Sequence, residues 1–165
     1  MIKLKQPQNT KETNISITIN LDGQGKNNIH TGIGFFDHML DGFARHGLFD
    51  LDVQDTGDLN VDCHHTVEDT GIVLGQAFNE ALGDKGSIDR FGSFYVPMDE
   101  ALAFASVDIS GRPFLVFDAE FPQAKCGGYD CCMTVEFMRA LAYNAGITLH
   151  IKSCYGDNSH HITEA

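Results

Sequence analysis

The chain repeats itself. A helically spaced run, Phe35, Phe36, Met39, Leu40 and Phe43, ends at Gly47; an alternating segment follows, then a turn with Gly57-Asp58, then His64-His65-Thr66-Val67-Glu68. Later, a second helical run ends at Gly146; another alternating segment follows, then a turn with Gly156-Asp157, then His160-His161-Ile162-Thr163-Glu164. A pattern that returns in fixed order marks a duplicated unit and constrains the fold before any single element is assigned. It predicts an α/β (α+β) chain of two half-domains, 1-85 and 86-165, packed into one pseudo-symmetric globular unit.

Within that frame the periodicities set the elements. Residues 15 to 21 are apolar at every second position, as in a half-buried strand, and the Gly- and Asn-rich stretch 22 to 28 reads as a turn. Phe49, Leu51 and Val53, then Leu59, Val61 and Cys63, form two short alternating runs around Asp55-Thr56-Gly57-Asp58 and predict a hairpin. The stripe Val67, Ile72, Val73, Ala77, Phe78 and Leu82, closed by Gly83, predicts the second helix. Strands near 93–97, 102–109 and 114–121, a helix near 132–145 and a strand over 147–152 complete the second half.

A length of 165 residues with 42% hydrophobic content supports a folded core. The formal charge of -12 argues against nucleic acid or an anionic membrane as partner, since holding phosphodiesters takes a dense Lys/Arg field. Any phosphate must be gripped by a few local donors. The start has no apolar signal segment and no later run is long enough to span a bilayer, so the expectation is a soluble, cytoplasmic protein. Five irregularly spaced cysteines fit free thiols in a reducing compartment better than a disulfide frame.

The chemistry is concentrated in the two His-His-x-x-Glu copies. On a helix, Glu68 lies three and four residues from His65 and His64 and so shares a face with each. The two rings diverge by about 100° around the axis, which suits two separate ions better than one. Imidazole with carboxylate suits Mn, Fe, Zn, Ni or Co. Against this stands the bland reading, that the histidines merely decorate helix starts. A cation there opposes the helix dipole, so paired histidines gain nothing unless neutral and engaged. His38 stands among apolar residues and its spacing leaves it open between boundary residue and ligand. His46, just before Gly47, reads as a cation at a helix C-terminus. Arg90 and Arg112 could fork onto a phosphate or form surface ion pairs; Asp99 and Glu100 could be acid/base groups or solvated carboxylates. These residues are consistent with two-metal catalysis on a small phosphorylated substrate. A two-metal hydrolase and a non-catalytic, metal-stitched assembly are the rival readings.

Five longer motifs narrow the choice. Thr31-Gly-Ile-Gly-Phe-Phe-Asp-His-Met-Leu40, His64-His-Thr-Val-Glu-Asp69, Pro97-Met-Asp-Glu-Ala-Leu102, Asp108-Ile-Ser-Gly-Arg-Pro113 and Asn158-Ser-His-His-Ile-Thr-Glu-Ala165 occur in that order. From about Asn9 to the last residue the chain resembles imidazoleglycerol-phosphate dehydratase. The resemblance implies a hydro-lyase of histidine biosynthesis that converts imidazole glycerol phosphate to imidazole acetol phosphate, using two Mn2+ ions in a site shared between subunits. It further implies four-stranded sheets backed by helices in each half, and a homo-oligomer of twenty-four copies. Carried over by position, one ion takes His38, His65, Glu68 and His160, and the other takes His64, Glu136, His161 and Glu164. At the Glu136 position many members carry His and others carry Glu. Arg90 and Arg112 would grip the phosphate, and Glu12 would reach the substrate from a neighbouring subunit. Glu12, lying outside the metal cluster, is then the expected proton shuttle. Similar sequences continue past Ala165 with a further helix and a tail carrying a Ser and a Lys. That difference predicts uncovered apolar surface in the second half, and weaker activity or assembly than a longer homologue has.

Overall fold

In a computed structural model of the chain, the described residues run from 3 to 165, with side chains described from residue 7 onward. The first half contributes β1 (Lys3–Asn9), β2 (Thr13–Asn20), β3 (Asn27–His30), α1 (Gly34–Gly47), β4 (Asp50–Gly57) and α2 (His64–Leu82). The second contributes β5 (Phe91–Met98), β6 (Ala101–Asp108), β7 (Phe114–Asp118), the short pair β8 (Lys125–Cys126) and β9 (Tyr129–Asp130), α3 (Met133–Ala145), β10 (Thr148–Tyr155) and α4 (Ser159–Glu164). The sheets have orders β1-β2-β4-β3 and β5-β6-β10-β7, each antiparallel except for a parallel outer pair, β3 with β4 and β7 with β10. The two halves therefore share one topology: a hairpin, an edge strand, a helix, a return strand and a second helix.

The first sheet lays Ile15, Ile17, Ile19, Leu51 and Val53 on a fully buried face, as the period-two pattern requires. Phe36, Leu40 and Ala44, at i, i+4 and i+8 of α1, close over it. The central helix α2 is buried on several sides because it lies between that sheet and α3. Gly71 and Gly75 permit the approach. A Cβ on Gly75 would stand 2.7 Å from the carbonyl oxygen of Leu141 and 3.0 Å from the backbone nitrogen of Ala145.

Three sequence expectations are corrected. The segment after Gly57 is a turn, not the second strand of a hairpin, and Leu59 and Val61 are exposed. The reason is topological: β2 and β3 already flank β4, so no edge of β4 is free to pair. Residues 27 and 28, expected as the end of a turn, open the edge strand β3, whose one buried side chain, Ile29, gives too little alternation to read. Gly47 does not supply the left-handed residue that ends α1. Leu48 does, at φ 57°, while a Cβ on Gly47 would collide with the Phe49 ring at 2.6 Å. Gly146 does end α3 in the left-handed region, as expected (φ 65°).

Cover is uneven. The 19-residue α2 packs over β1 and β2, whereas the six-residue α4 reaches only one end of β5 and β6. Phe94 and Val96, whose sheet partners Ala105 and Ala103 share the helix-facing side with Leu149 and Ile151, stay exposed. No helix among the described residues is long and apolar enough to cross a membrane.

Candidate metal and substrate site

Both His-His-x-x-Glu copies open a helix, and each folds on the same plan. The first His of a pair turns Nε2 toward its own Glu one helical turn on: His64 to Glu68 at 3.1 Å, His160 to Glu164 at 3.2 Å. The second His turns Nδ1 to a carboxylate from elsewhere. His65 donates to Asp58 at 2.9 Å and His161 donates to Glu100 at 2.6 Å. Holding Nδ1–H in this way fixes the direction of each ring and turns Nε2 outward, as in a metal-binding imidazole; Nε2 of His161 has Asp99 Oδ2 at 3.7 Å. Ring centroids within each pair are 6.1 and 5.9 Å apart and steeply inclined, so the two rings of a pair face different directions.

The supporting carboxylates were the part of the site that sequence reasoning missed or left ambiguous. Asp58 was visible only as a turn residue next to Gly57. Glu100 was one of two neighbouring carboxylates in Pro97-Met-Asp-Glu100, and nothing in the sequence tied it to His161. Met98 pairs with Ala101, so Asp99 and Glu100 form a two-residue hairpin turn; Asp99 takes the left-handed conformation such turns need, at φ 47°. That turn aims Glu100 at the start of α4, where its other oxygen accepts the backbone amide of Asn158 at 3.0 Å. The hydrogen bond from His161 holds the Glu100 carboxyl down at about 2, and the same bond raises His161. His65 is raised in the same way, first by Asp58.

His38, on α1, joins the second copy. Its Nε2 lies 3.5 Å from Glu164, and its ring centroid is 5.8 Å from that of His160. His38, His160 and Glu164 form the one group of three or more among the described residues whose donor atoms all approach within 4.8 Å, close enough for one ion. The positional assignment had divided this trio, giving Glu164 to a different ion from His38 and His160. Phe35, one helical turn before Met39, stacks edge-on against His160 at 4.9 Å and limits its ring movement. Glu136 of α3 is ion-paired with Arg139, which also feels Glu68 across the α2–α3 contact.

Arg90 and Arg112 converge on one carboxylate. Arg90 makes a fork to Asp108, at 2.6 and 3.0 Å, and Arg112 approaches it at 3.6 Å. They lie at the opposite end of β6 from the Glu100 turn, and the eight-residue strand between spans about 24 Å. One chain therefore does not bring this pair to its own His161. Glu12 stands exposed in the β1–β2 turn, where its amide bonds the Thr10 hydroxyl and its charge helps to raise His65.

The chain is similar to known proteins over nearly its whole length. A family profile described as imidazoleglycerol-phosphate dehydratase matches residues 31–165. An imidazoleglycerol-phosphate dehydratase of Acetivibrio thermocellus is 61% identical over 163 residues, covering 99% of this chain and 84% of that protein. One from Thermoanaerobacter pseudethanolicus is 59% identical over 165 residues, covering 100% of this chain and 85% of that protein. Among solved structures, an imidazoleglycerol-phosphate dehydratase from Staphylococcus aureus superposes with a TM-score of 0.85 at 42% identity, covering 98% of this chain and 91% of that one. IGPD from Pyrococcus furiosus, in complex with (S)-C348, superposes at 0.83 with 39% identity, covering 96% and 85%.

Proposed function

The chain belongs to the imidazoleglycerol-phosphate dehydratase family, a family of hydro-lyases in histidine biosynthesis, and from that premise we propose that it dehydrates imidazole glycerol phosphate at a site holding two Mn2+ ions. The observation that carries the metal reading is the repeated pose of the two histidine pairs. In each, one imidazole shares its open nitrogen with a carboxylate, and the other is anchored through Nδ1 so that Nε2 can ligate. This is a nitrogen and oxygen donor set of the kind Mn2+ accepts.

His38, His64, His65, Glu68, Glu136, His160, His161 and Glu164 would hold the ions. When bound, the cations would supply Lewis acidity that makes the substrate ring N–H more acidic, and the more electron-rich deprotonated ring would help the neighbouring hydroxyl to leave. The chain's own residues supply the rest. Asp58 and Glu100 hold Nδ1 of two ligands and so direct Nε2 of each ring toward the ion. Phe35 packs beside His160 and keeps that ring from swinging away. Glu12, exposed and on the His65 side, carries the proton taken from the adjacent carbon.

Arg90 and Arg112 take the phosphate in place of Asp108, since two guanidinium groups already meet one anion there. The length of β6 sets them too far from His161 of the same chain for one small substrate to touch both. That separation supports a site completed by a second copy, and with it the homo-oligomer of twenty-four subunits that the family suggests.

The test is direct. Protein with imidazole glycerol phosphate and Mn2+ should form imidazole acetol phosphate, and a chelator should stop it. His64→Ala and His161→Ala should each abolish metal-dependent turnover. Full turnover in excess chelator, or in either variant, would overturn the reading.

A further inference from the structure

We propose that Cys126 and Cys131 form a reversible dithiol–disulfide pair that controls the seating of α4, an inference resting on the function above only where α4 is taken to carry metal ligands. The two sulfur atoms lie 3.7 Å apart. They sit on a small hairpin whose register explains the contact. Cys126 pairs with Tyr129, and Lys125 with Asp130. The amide of Cys131 donates to the carbonyl of Ala124 at 2.9 Å, extending the ladder by one step. Cys131 is therefore opposite Ala124 and diagonal to Cys126, with both side chains on one face.

A diagonal pair has Cα atoms about 7–8 Å apart, whereas a disulfide needs roughly 4.4–6.8 Å and an S–S bond of about 2.05 Å. The bridge can form, but only if the backbone of the hairpin moves. Gly127 and Gly128 make that movement possible: they are the two loop residues, Gly127 is at φ 60°, and a Cβ on either would meet nothing within 4 Å. Neither glycine is needed for space, and the left-handed Gly127 serves the bend.

What moves with the hairpin is the base of α4. Gln123, next to Ala124, is locked to Ser159 by three hydrogen bonds. Its amide donates to the Ser159 hydroxyl (2.8 Å), its side-chain oxygen accepts the Ser159 amide (2.6 Å), and its carbonyl accepts that hydroxyl (2.9 Å). Ser159 is fully buried and directly precedes His160. Drawing Cys126 and Cys131 together strains the clamp that fixes the first turn of α4, and so turns His160.

The accessible partner is Cys126, half-buried beside a cavity of about 760 Å3 that Phe35 and His160 also line; Cys131 is buried. With hydrogen peroxide as oxidant, the Cys126 thiolate attacks one oxygen, giving a sulfenic acid and releasing hydroxide, which takes up the proton as water. Cys131 then attacks the Cys126 sulfur, its proton leaving with the sulfenic hydroxyl as a second water. Two thiols are oxidised, one peroxide is reduced, and a dithiol reductant reverses the change.

The experiment reads bond and movement separately from catalysis. Intact chain is treated with peroxide, the remaining thiols are alkylated, and peptides are mapped. The expected result is loss of two hydrogens in a Cys126–Cys131 crosslinked peptide, restored by dithiothreitol and absent in Cys126→Ser. Amide hydrogen exchange over Ser159–His161 should quicken about threefold to tenfold on oxidation, the factor one lost hydrogen bond is worth, and should not change in Cys126→Ser. No bridge, a bridge through Cys132 instead, or a bridge that leaves exchange in α4 unchanged would each overturn the proposal. Turnover of the reduced protein reports on the dehydratase reading alone, so failure of one is distinguishable from failure of the other.

Discussion

The same substitution, Gly to Ala in a helix, should have opposite effects at Gly42 and Gly75. Alanine at an exposed helix position gains about 1 kcal/mol over glycine through backbone entropy. At Gly42 of α1 a Cβ meets nothing within 4 Å, so the whole gain should appear. At Gly75 of α2 the new Cβ would stand 2.7 Å from the Leu141 carbonyl oxygen, 2.8 Å from the Asn144 Cβ and 3.0 Å from the Ala145 nitrogen. Two of these are backbone atoms of α3, which cannot rotate aside as a long side chain could. Overpacking of this kind costs about 3 kcal/mol at the rigid end of its range, leaving a net loss of about 2. For a chain of this size 1 kcal/mol moves the unfolding midpoint by about 3 °C. Thermal unfolding should therefore show Gly42→Ala about 3 °C higher and Gly75→Ala about 6 °C lower than the parent. The loss should reach the site as well, because α2 carries Glu68 and α3 carries Glu136. If Gly75→Ala is as stable as Gly42→Ala, the close α2–α3 contact is wrong.

Further outcomes follow from the site and its surroundings. Asp58→Ala and Glu100→Ala should each weaken Mn2+ affinity about 10- to 100-fold in calorimetric titration, as loss of an orienting partner does; unchanged affinity in both would remove these carboxylates from the site. Arg112→Met should raise KM for the phosphorylated substrate about 10- to 100-fold with little change in kcat, since the phosphate is gripped equally in ground and transition states. Burial pushes Asp55 up to about 7, and its Oδ1 has no hydrogen-bond partner. Because this folded value lies above the unfolded one, the stability it contributes is complete below pH about 4 and is lost as pH rises through about 7. Partial exposure reduces the roughly 4 kcal/mol that three units represent to about 2. Asp55→Asn should thus gain stability over the parent at pH 8 and not at pH 4, measured by denaturant midpoints.

Much of the framework was legible because the repeat is periodic. Ile15, Ile17 and Ile19 announce a half-buried strand, and Val67 to Leu82 announce a helix, since burial selects those spacings directly. The strand β3 and the β8–β9 pair were not legible, because each is held by neighbours and by backbone pairing, not by its own apolar pattern. The histidine pairs were visible by local spacing along a helix. Their supports were not: Glu100 reaches His161 only because a left-handed Asp99 turns the β5–β6 hairpin toward α4, a fact of tertiary geometry. The convergence of Arg90 and Arg112 on Asp108 was equally hidden, since 18 residues separate Arg90 from that partner.

The two anchored histidines differ in the length of chain that holds them. His65 and Asp58 are seven residues apart, whereas His161 and Glu100 are separated by 61. The first anchor persists wherever the short turn before α2 persists. The second depends on a long-range closure, and so on the hairpin β5–β6, whose Phe94 is 75% exposed. A native-state fluctuation that frays this hairpin releases His161 while leaving His65 in place. The duplicated pattern is thus symmetric in shape and asymmetric in resilience, and anything that steadies the outer hairpin of the second sheet also steadies one particular imidazole.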